Sequence, residues 1–276
     1  MECIREIPGI REVVLLHVID TISSSKSGAG SGVEIEHVKN LMAQHEKTLK
    51  NLGLTVQSNV DVMEITLNEG TIGSRILKTA EKEDVSMIIM GARGKGLREL
   101  FLGSVSTYVL YHATTPLLLV KSPGARVAGG EIILAENRPI FSKALIPTDF
   151  SAPAGDLLRF VREIRDIDEI ILLHVINEEK NNPRLTELIS NATAKIGAIR
   201  EELTRAGFSV KDYIRIGYPP DEINLLAGQE HATLIAMSPL GEGWIRELKE
   251  VFVGSTTYAV VRRTELPVLI VRPHKK

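Results

Sequence analysis

Two stretches of this chain carry the same apolar pattern. Glu12-Val13-Val14-Leu15-Leu16-His17-Val18-Ile19-Asp20 and Glu169-Ile170-Ile171-Leu172-Leu173-His174-Val175-Ile176-Asn177 are near-continuous runs of leucine and β-branched side chains. Such runs predict strands buried on both faces. Their shared Leu-Leu-His-Val core marks an internal repeat at about 150 residues. Helical spacing follows each run. Ile35, Val38, Leu41, Met42, Leu49 and Leu52 lie on one face and Gly53 ends that helix; Leu185, Leu188, Ile189, Ala192, Ile196, Ile199 and Leu203 do the same before Gly207. Further strands are predicted over 54–62 and 208–216, then a glycine (Gly70, Gly217) and helices over 72–82 and 220–228. Apolar runs at 86–90 and 232–237 predict one more buried strand in each half. Each leads through a loop to a helix starting at Gly103-Ser104 or Gly254-Ser255, and then to a last strand at 115–120 or 266–271. Strands alternating with helices predict right-handed βαβ units and parallel sheets, an α/β fold.

The halves are unequal. Only the second opens with Lys143-Ala144-Leu145-Ile146-Pro147-Thr148-Asp149-Phe150-Ser151, which predicts a strand, a turn and a helix over about 152–165. Aligned on Leu-Leu-His-Val, Met1 falls near Leu158, so the first half lacks a first strand as written. That strand is central in a doubly wound sheet, and its loss would open the core. The expectation is a natural start upstream of Met1. Residues 23–32 read as a flexible loop, and Ser122-Pro123-Gly124 with Gly129-Gly130 and Ile132-Ile133-Leu134 as a linker holding an edge strand. The division is 1–122, a linker over 123–140, and 141–276.

Composition narrows the function. The 276 residues suit two domains. A net charge of −2 and 4% aromatic residues argue against nucleic acid and an acidic membrane surface as partners. One cysteine, Cys3, excludes an intrachain disulfide and fits a cytoplasmic protein. No apolar run approaches the roughly 20 residues that span a bilayer.

The chemistry concentrates in Gly91-Ala92-Arg93-Gly94-Lys95-Gly96, which follows a buried strand and leads to a helix at Gly103-Ser104. Glycines admit close backbone approach to an anion, and helix-start N–H groups carry partial positive charge. Ser104 and Ser106 add hydroxyls, and Arg93 and Lys95 add cations. The second half repeats the pattern with Ser238-Pro239-Leu240-Gly241 and Gly254-Ser255-Thr256-Thr257. Asp149 and the Ser238 loop are predicted to meet beyond the strand ends, at the switch point of the sheet. Structural roles remain open beside these. Asp149, Ser104 and Ser255 read equally as helix caps, His17 and His174 as strand-end histidines, and Arg93 as a solvated loop residue. No Gly-x-x-x-x-Gly-Lys-Ser/Thr, His-Glu-x-x-His, Cys-x-x-Cys or Gly-x-Ser-x-Gly motif occurs, so no catalytic group is assigned; slow ATP hydrolysis is the most that is expected.

Leu-Ile-Pro-Thr-Asp-Phe-Ser at 145–151, the two Leu-Leu-His-Val segments and the Gly91…Gly94…Gly103-Ser104 loop together resemble the universal stress protein family, in its tandem form. The resemblance implies two Rossmann-like five-stranded parallel sheets of order 3-2-1-4-5, paired about a pseudo-two-fold axis through their last strands. It also implies ATP or AMP, with or without Mg, as ligand for one branch of the family. There Asp149 would meet the nucleoside, Val18 and Val175 the adenine, and the Gly-x-x-Gly and Gly-Ser segments the ribose and phosphates. The candidate nucleotide-binding residues are Val18, Met90, Gly91, Arg93, Gly94, Gly103, Ser104, Val105 and Ser106 in the first half. In the second they are Pro147, Thr148, Asp149, Val175, Met237, Ser238, Gly241, Gly254, Ser255 and Thr256. Departures exist. The second glycine and the Gly-Ser pair are separated by eight residues in the first half and twelve in the second, bracketing the spacing of the nucleotide-binding branch, and Ser238 replaces a glycine. The expected function is a cytoplasmic stress or signalling protein that binds adenine nucleotide, homodimeric and acting on a protein partner. The alternative is a nucleotide-free dimeric scaffold.

Overall fold

The computed structural model describes residues 9–20, 31–63, 71–92, 102–121, 126–128, 131–133, 139–164, 167–179, 181–241 and 253–272. Strands form where apolar runs predict them, and amphipathic segments between them form helices. The order is β1 (Glu12–Asp20), α1 (Ser31–Lys50), β2 (Thr55–Met63), α2 (Ile72–Lys82), β3 (Ile88–Gly91), α3 (Ser104–His112), β4 (Leu117–Val120), β5 (Arg126–Ala128) and β6 (Glu131–Ile133). The second half continues with β7 (Lys143–Pro147), α4 (Ala152–Glu163), β8 (Glu169–Ile176), α5 (Leu185–Arg205), β9 (Ser209–Ile216), α6 (Pro219–Gln229), β10 (Leu234–Met237), α7 (Ser255–Arg263) and β11 (Val268–Ile270).

Seven strands form one sheet in the order β3-β4-β11-β10-β7-β8-β9. From β9 to β11 this is the expected 3-2-1-4-5 arrangement, parallel throughout. The sheet core is dry: Leu145, Ile171, Ile235 and Leu269 have no solvent exposure. Direction reverses at one place. β11 pairs antiparallel with β4, Leu269 opposite Leu118, and β3 follows β4 in parallel. The last strands of the two repeats therefore join, as the resemblance implied.

β1 and β2 stand outside this sheet as a separate two-stranded parallel pair. The chain divides into two compact units after Val85. The strands of the first repeat are thus split between sheets, with β1 and β2 in one and β3 and β4 in the other. The cause lies in the sequence: the second repeat has β7 between β8 and β10, and the described part of the first repeat has no strand in that role.

Some bounds differ from expectation. Helix α1 starts at Ser31, inside the stretch read as a loop, and α4 ends at Glu163. The strand expected near Ile132 pairs only with β5, forming a short antiparallel ribbon apart from the large sheet. Local signals explain the helix starts. Thr71 and Ser74 form a reciprocal capping box at α2. At α4, Ser151 is the N-cap and a proline sits in the first turn.

Two cations, Lys121 buried and Arg272 half-buried, tie the halves together at equivalent places. Lys121, just after β4, donates to the Thr264 carbonyl at the end of α7. Arg272, just after β11, donates to the Leu110 and Tyr111 carbonyls at the end of α3, at 2.9 and 3.0 Å. Each cation meets the negative end of the other repeat's helix. Burial lowers the Arg272 pKa to about 10.

Candidate functional site

The second repeat brings three segments together at the carboxyl ends of β7 and β10. The chain leaves β7 through Thr148, whose N–H donates to the Leu173 carbonyl at 2.8 Å. Asp149 then turns the chain. Its Oδ1 accepts from the Ser151 N–H at 3.0 Å and from the Ser151 hydroxyl at 2.5 Å. This aspartate-centred turn positions the cap of α4, so Asp149 supports the cap without being it. Phe150 takes a left-handed conformation, φ 63°. A bulky side chain pays for that position in strain. Stacking holds it: the ring lies 4.4 Å from that of His174 and carries the Lys195 ammonium at 5.3 Å. His174 Nδ1 hydrogen-bonds the Thr148 carbonyl at 2.8 Å, a strand-end role.

The β10 loop comes close to Asp149. A Cβ on Gly241 would lie 2.8 Å from Asp149 Oδ2, closer than side-chain carbons approach, so glycine permits this juxtaposition. The Ser238 hydroxyl accepts from the Leu240 N–H at 3.3 Å, and the Thr257 hydroxyl donates to the Ser238 carbonyl at 2.9 Å. Gly254 donates to the Pro239 carbonyl at 2.7 Å. These bonds fasten the loop to the start of α7. Gly254 is the N-cap, with no side-chain capping bond, so Ser255 is the first helical residue and does not cap. Thr256 is half-buried in the same turn, Met237 ends β10 buried, and Pro147 and Val175 are half-buried near the ends of β7 and β8.

The first repeat builds the matching loop. Gly103 donates to the Ala92 carbonyl at 3.0 Å, and Ala92 donates to Val120 at 2.8 Å. The buried Ser106 hydroxyl donates to the same Ala92 carbonyl at 2.8 Å, so its proton is committed to the loop. Gly103 is the N-cap of α3, again without a side-chain bond; Ser104 is exposed beside it and Val105 is half-buried. Met90 and Gly91 end β3. Arg93 and Gly94 lie outside the described residues. Val18 and His17 are half-buried in β1, in the other unit.

The approach of Gly241 to Asp149 is the meeting of Asp149 with the Ser238 loop that the sequence predicts; the Phe150–His174 stack lies outside that expectation. An Asp-x-Ser triplet after a strand is a legible turn signal; a left-handed phenylalanine has none. Among the described residues no three His, Cys, Asp or Glu side chains gather to ligate a metal, and no helix is long and apolar enough to cross a membrane.

The family model of the universal stress proteins matches residues 11–121 and again 141–272. Universal stress protein MJ0577 of Methanocaldococcus jannaschii is 33% identical over 158 residues, which cover 48% of this chain and 96% of that protein. Universal stress protein Slr1230 of Synechocystis is 25% identical over 193 residues, covering 69% of this chain and 59% of that one. The crystal structure of a universal stress protein from Archaeoglobus fulgidus matches 98% of this chain and 93% of its own, with a TM-score of 0.70 and 21% identity, a likeness of fold.

Proposed function

The chain belongs to the universal stress protein family, matched twice along its length, and from that premise we propose that it binds an adenine nucleotide, ATP or AMP, beside β7 and β10. The observation that carries this reading is the approach of Gly241 to the Asp149 carboxylate at the switch point of a parallel sheet. In this reading Asp149 accepts a hydrogen bond from a ribose hydroxyl. The backbone N–H groups at the start of α7, from Ser255 and Thr256, receive phosphate, aided by the helix dipole. Pro147, Thr148 and Val175 flank the nucleoside, and Met237 and Ser238 the loop side. A magnesium ion would take its ligands from phosphate and water, which suits its preference for few protein ligands. The first-repeat loop, with Met90, Gly91, Arg93, Gly94, Gly103, Ser104 and Val105, is a second anion site; among the described residues no acid equivalent to Asp149 accompanies it. Nucleotide would order these loops and so change the surface offered to a protein partner. A cytoplasmic homodimer belongs to the same proposal.

The test is nucleotide stoichiometry: mass spectrometry of nucleotide released from purified protein, then calorimetric titration with ATP and AMP. At least one nucleotide per chain is expected, with loss of one site in Asp149→Ala. No released nucleotide and no heat at millimolar ligand would overturn the reading. That result would favour a nucleotide-free scaffold, for which the β4–β11 junction is the supporting observation, since it joins the two repeats by strand pairing.

A further inference from the structure

The two repeats diverge at the groove between β2 and α2 in the first and between β9 and α6 in the second. In the second repeat that groove is filled. Tyr213 on β9 donates its hydroxyl to Glu230 at 2.6 Å, just beyond α6, and Arg215 reaches Gln229 on α6 at 2.8 Å. Register puts Asn59 and Asp61 of β2 where Tyr213 and Arg215 stand. These shorter side chains leave a cavity of about 410 Å³ between β2 and α2, with Leu16 as its apolar floor. The helix side changes with it. Aligned on Gly70 and Gly217, Arg75 replaces Glu222, Lys78 replaces Leu225 and Lys82 replaces Gln229. One acidic, one apolar and one amide side chain have become three cations on one face of α2.

A second observation points to a ligand. Arg75 Nε is buried without a hydrogen-bond partner, while the guanidinium meets Asp61 only loosely, 3.8 Å away. Buried donors are rarely left unmade. Ser58 is committed to Glu46 at 2.6 Å, and Lys82 pairs with Glu83 at 3.0 Å. That leaves Arg75, Lys78 and the polar groups of Asn59 and Thr79 to serve an anion. We propose that this groove binds a small phosphomonoester. Arg75 and Lys78 hold the phosphate, and the organic part lies over Leu16 and the β2 backbone. A guanidinium fork beside an ammonium matches a tetrahedral dianion better than a single carboxylate. The cavity volume is that of a small-molecule site, larger than inorganic phosphate needs. The site is independent of the proposed nucleotide site, since its residues all precede Val85.

The experiment titrates the ¹⁵N-labelled full chain with inorganic phosphate, then with glycerol 3-phosphate, each against chloride at matched ionic strength. Saturable shifts are expected at the amides of Asn59, Lys78 and Thr79, with the ester binding more tightly than inorganic phosphate. Arg75→Gln should weaken binding about tenfold or more and Lys78→Gln about threefold. Lys78 is exposed, so its variant keeps the fold and the test stays decisive. Asp149→Ala should leave the shifts unchanged, which separates this site from nucleotide binding. Shifts that chloride reproduces, or that both variants leave intact, would overturn the proposal. Equal or weaker binding of the ester would overturn the assignment to phosphomonoesters.

Discussion

At the scale of single residues, Gly241 and Gly254 separate what the loop needs for folding from what it needs for a ligand. A methyl group on Gly241 would displace Asp149 Oδ2, the far end of a side chain whose other oxygen is held by Ser151. The carboxylate can swing at small cost to stability, but then it leaves its proposed ribose partner. Gly241→Ala should therefore lower nucleotide affinity about tenfold or more by calorimetry, while destabilising the fold by no more than about 1 kcal/mol in urea. Gly254→Ala places its methyl 3.4 Å from the Pro239 carbonyl, an ordinary contact, and should change affinity less. If Gly241→Ala binds nucleotide as the parent does, Asp149 is a turn residue and no more. Asp149, Gly241 and Gly254 were all legible in the sequence, because turn chemistry and helix starts are local. The cap assignments of Ser104 and Ser255 were displaced by one position. Glycine in extended conformation serves as N-cap at both helices, and the serine follows it. Phe150 was illegible, since its left-handed backbone depends on a tertiary stack against His174.

At the scale of elements, the end of the sheet opposite the candidate site is fastened by charge. Lys143 at the start of β7 meets Glu169 of β8 at 2.8 Å and Glu230 after α6 at 3.3 Å. Lys211 of β9 meets the same two carboxylates at 3.0 and 2.9 Å. Hydrogen bonds from Tyr213, then Lys211, outweigh burial and lower the Glu230 pKa to about 2. A depressed carboxylate stabilises the fold above its unfolded pKa, near 4.5, and that contribution disappears as pH falls through the folded value. The parent should thus lose stability between about pH 4.5 and 2 to which Glu230→Gln is blind. Urea titrations at pH 7, 5 and 3 should show the variant weaker at pH 7 and the gap closing as pH falls; a constant gap would place the contribution of Glu230 in packing alone. Such networks are invisible in sequence, because their members come from four elements. The elements themselves were visible: β8, β9 and α5 lie where apolar period and terminal glycines put them. The separation of β1–β2 from β3–β4 was foreshadowed by one comparison, the strand at Lys143–Pro147 that only the second repeat possesses.

At the scale of the whole molecule, the two units rest on unequal cores, and this predicts unequal stability. In β8, Ile170, Ile171, Leu172 and Leu173 are all without exposure, sandwiched between β7 and β9 in a seven-stranded sheet. In β1 the matching Val13, Val14, Leu15 and Leu16 are only half-buried, and among the strand's described side chains Ile19 alone is buried. Its cluster is small: Ile19, Val38 and Met42, with Leu15, Ile35 and Val60 against them. A two-stranded sheet with a partly wetted apolar face has little to oppose local opening, whatever the propensity of its sequence. The same Leu-Leu-His-Val sequence should thus behave differently in its two settings. Hydrogen exchange followed by mass spectrometry offers an internal comparison, since both copies sit in one chain under one set of conditions. Peptides covering β1 and β2 should exchange at least about a hundredfold faster than those covering β7, β8 and β10, and urea should release them in an earlier transition. Adding ATP or AMP should slow exchange around Asp149 and the start of α7 and leave the difference between β1 and β8 standing, because the proposed nucleotide contacts lie in the second repeat. Equal protection of β1 and β8 would mean that the two strands open together, and that stability is set by the chain as one cooperative body and not by the burial each copy achieves.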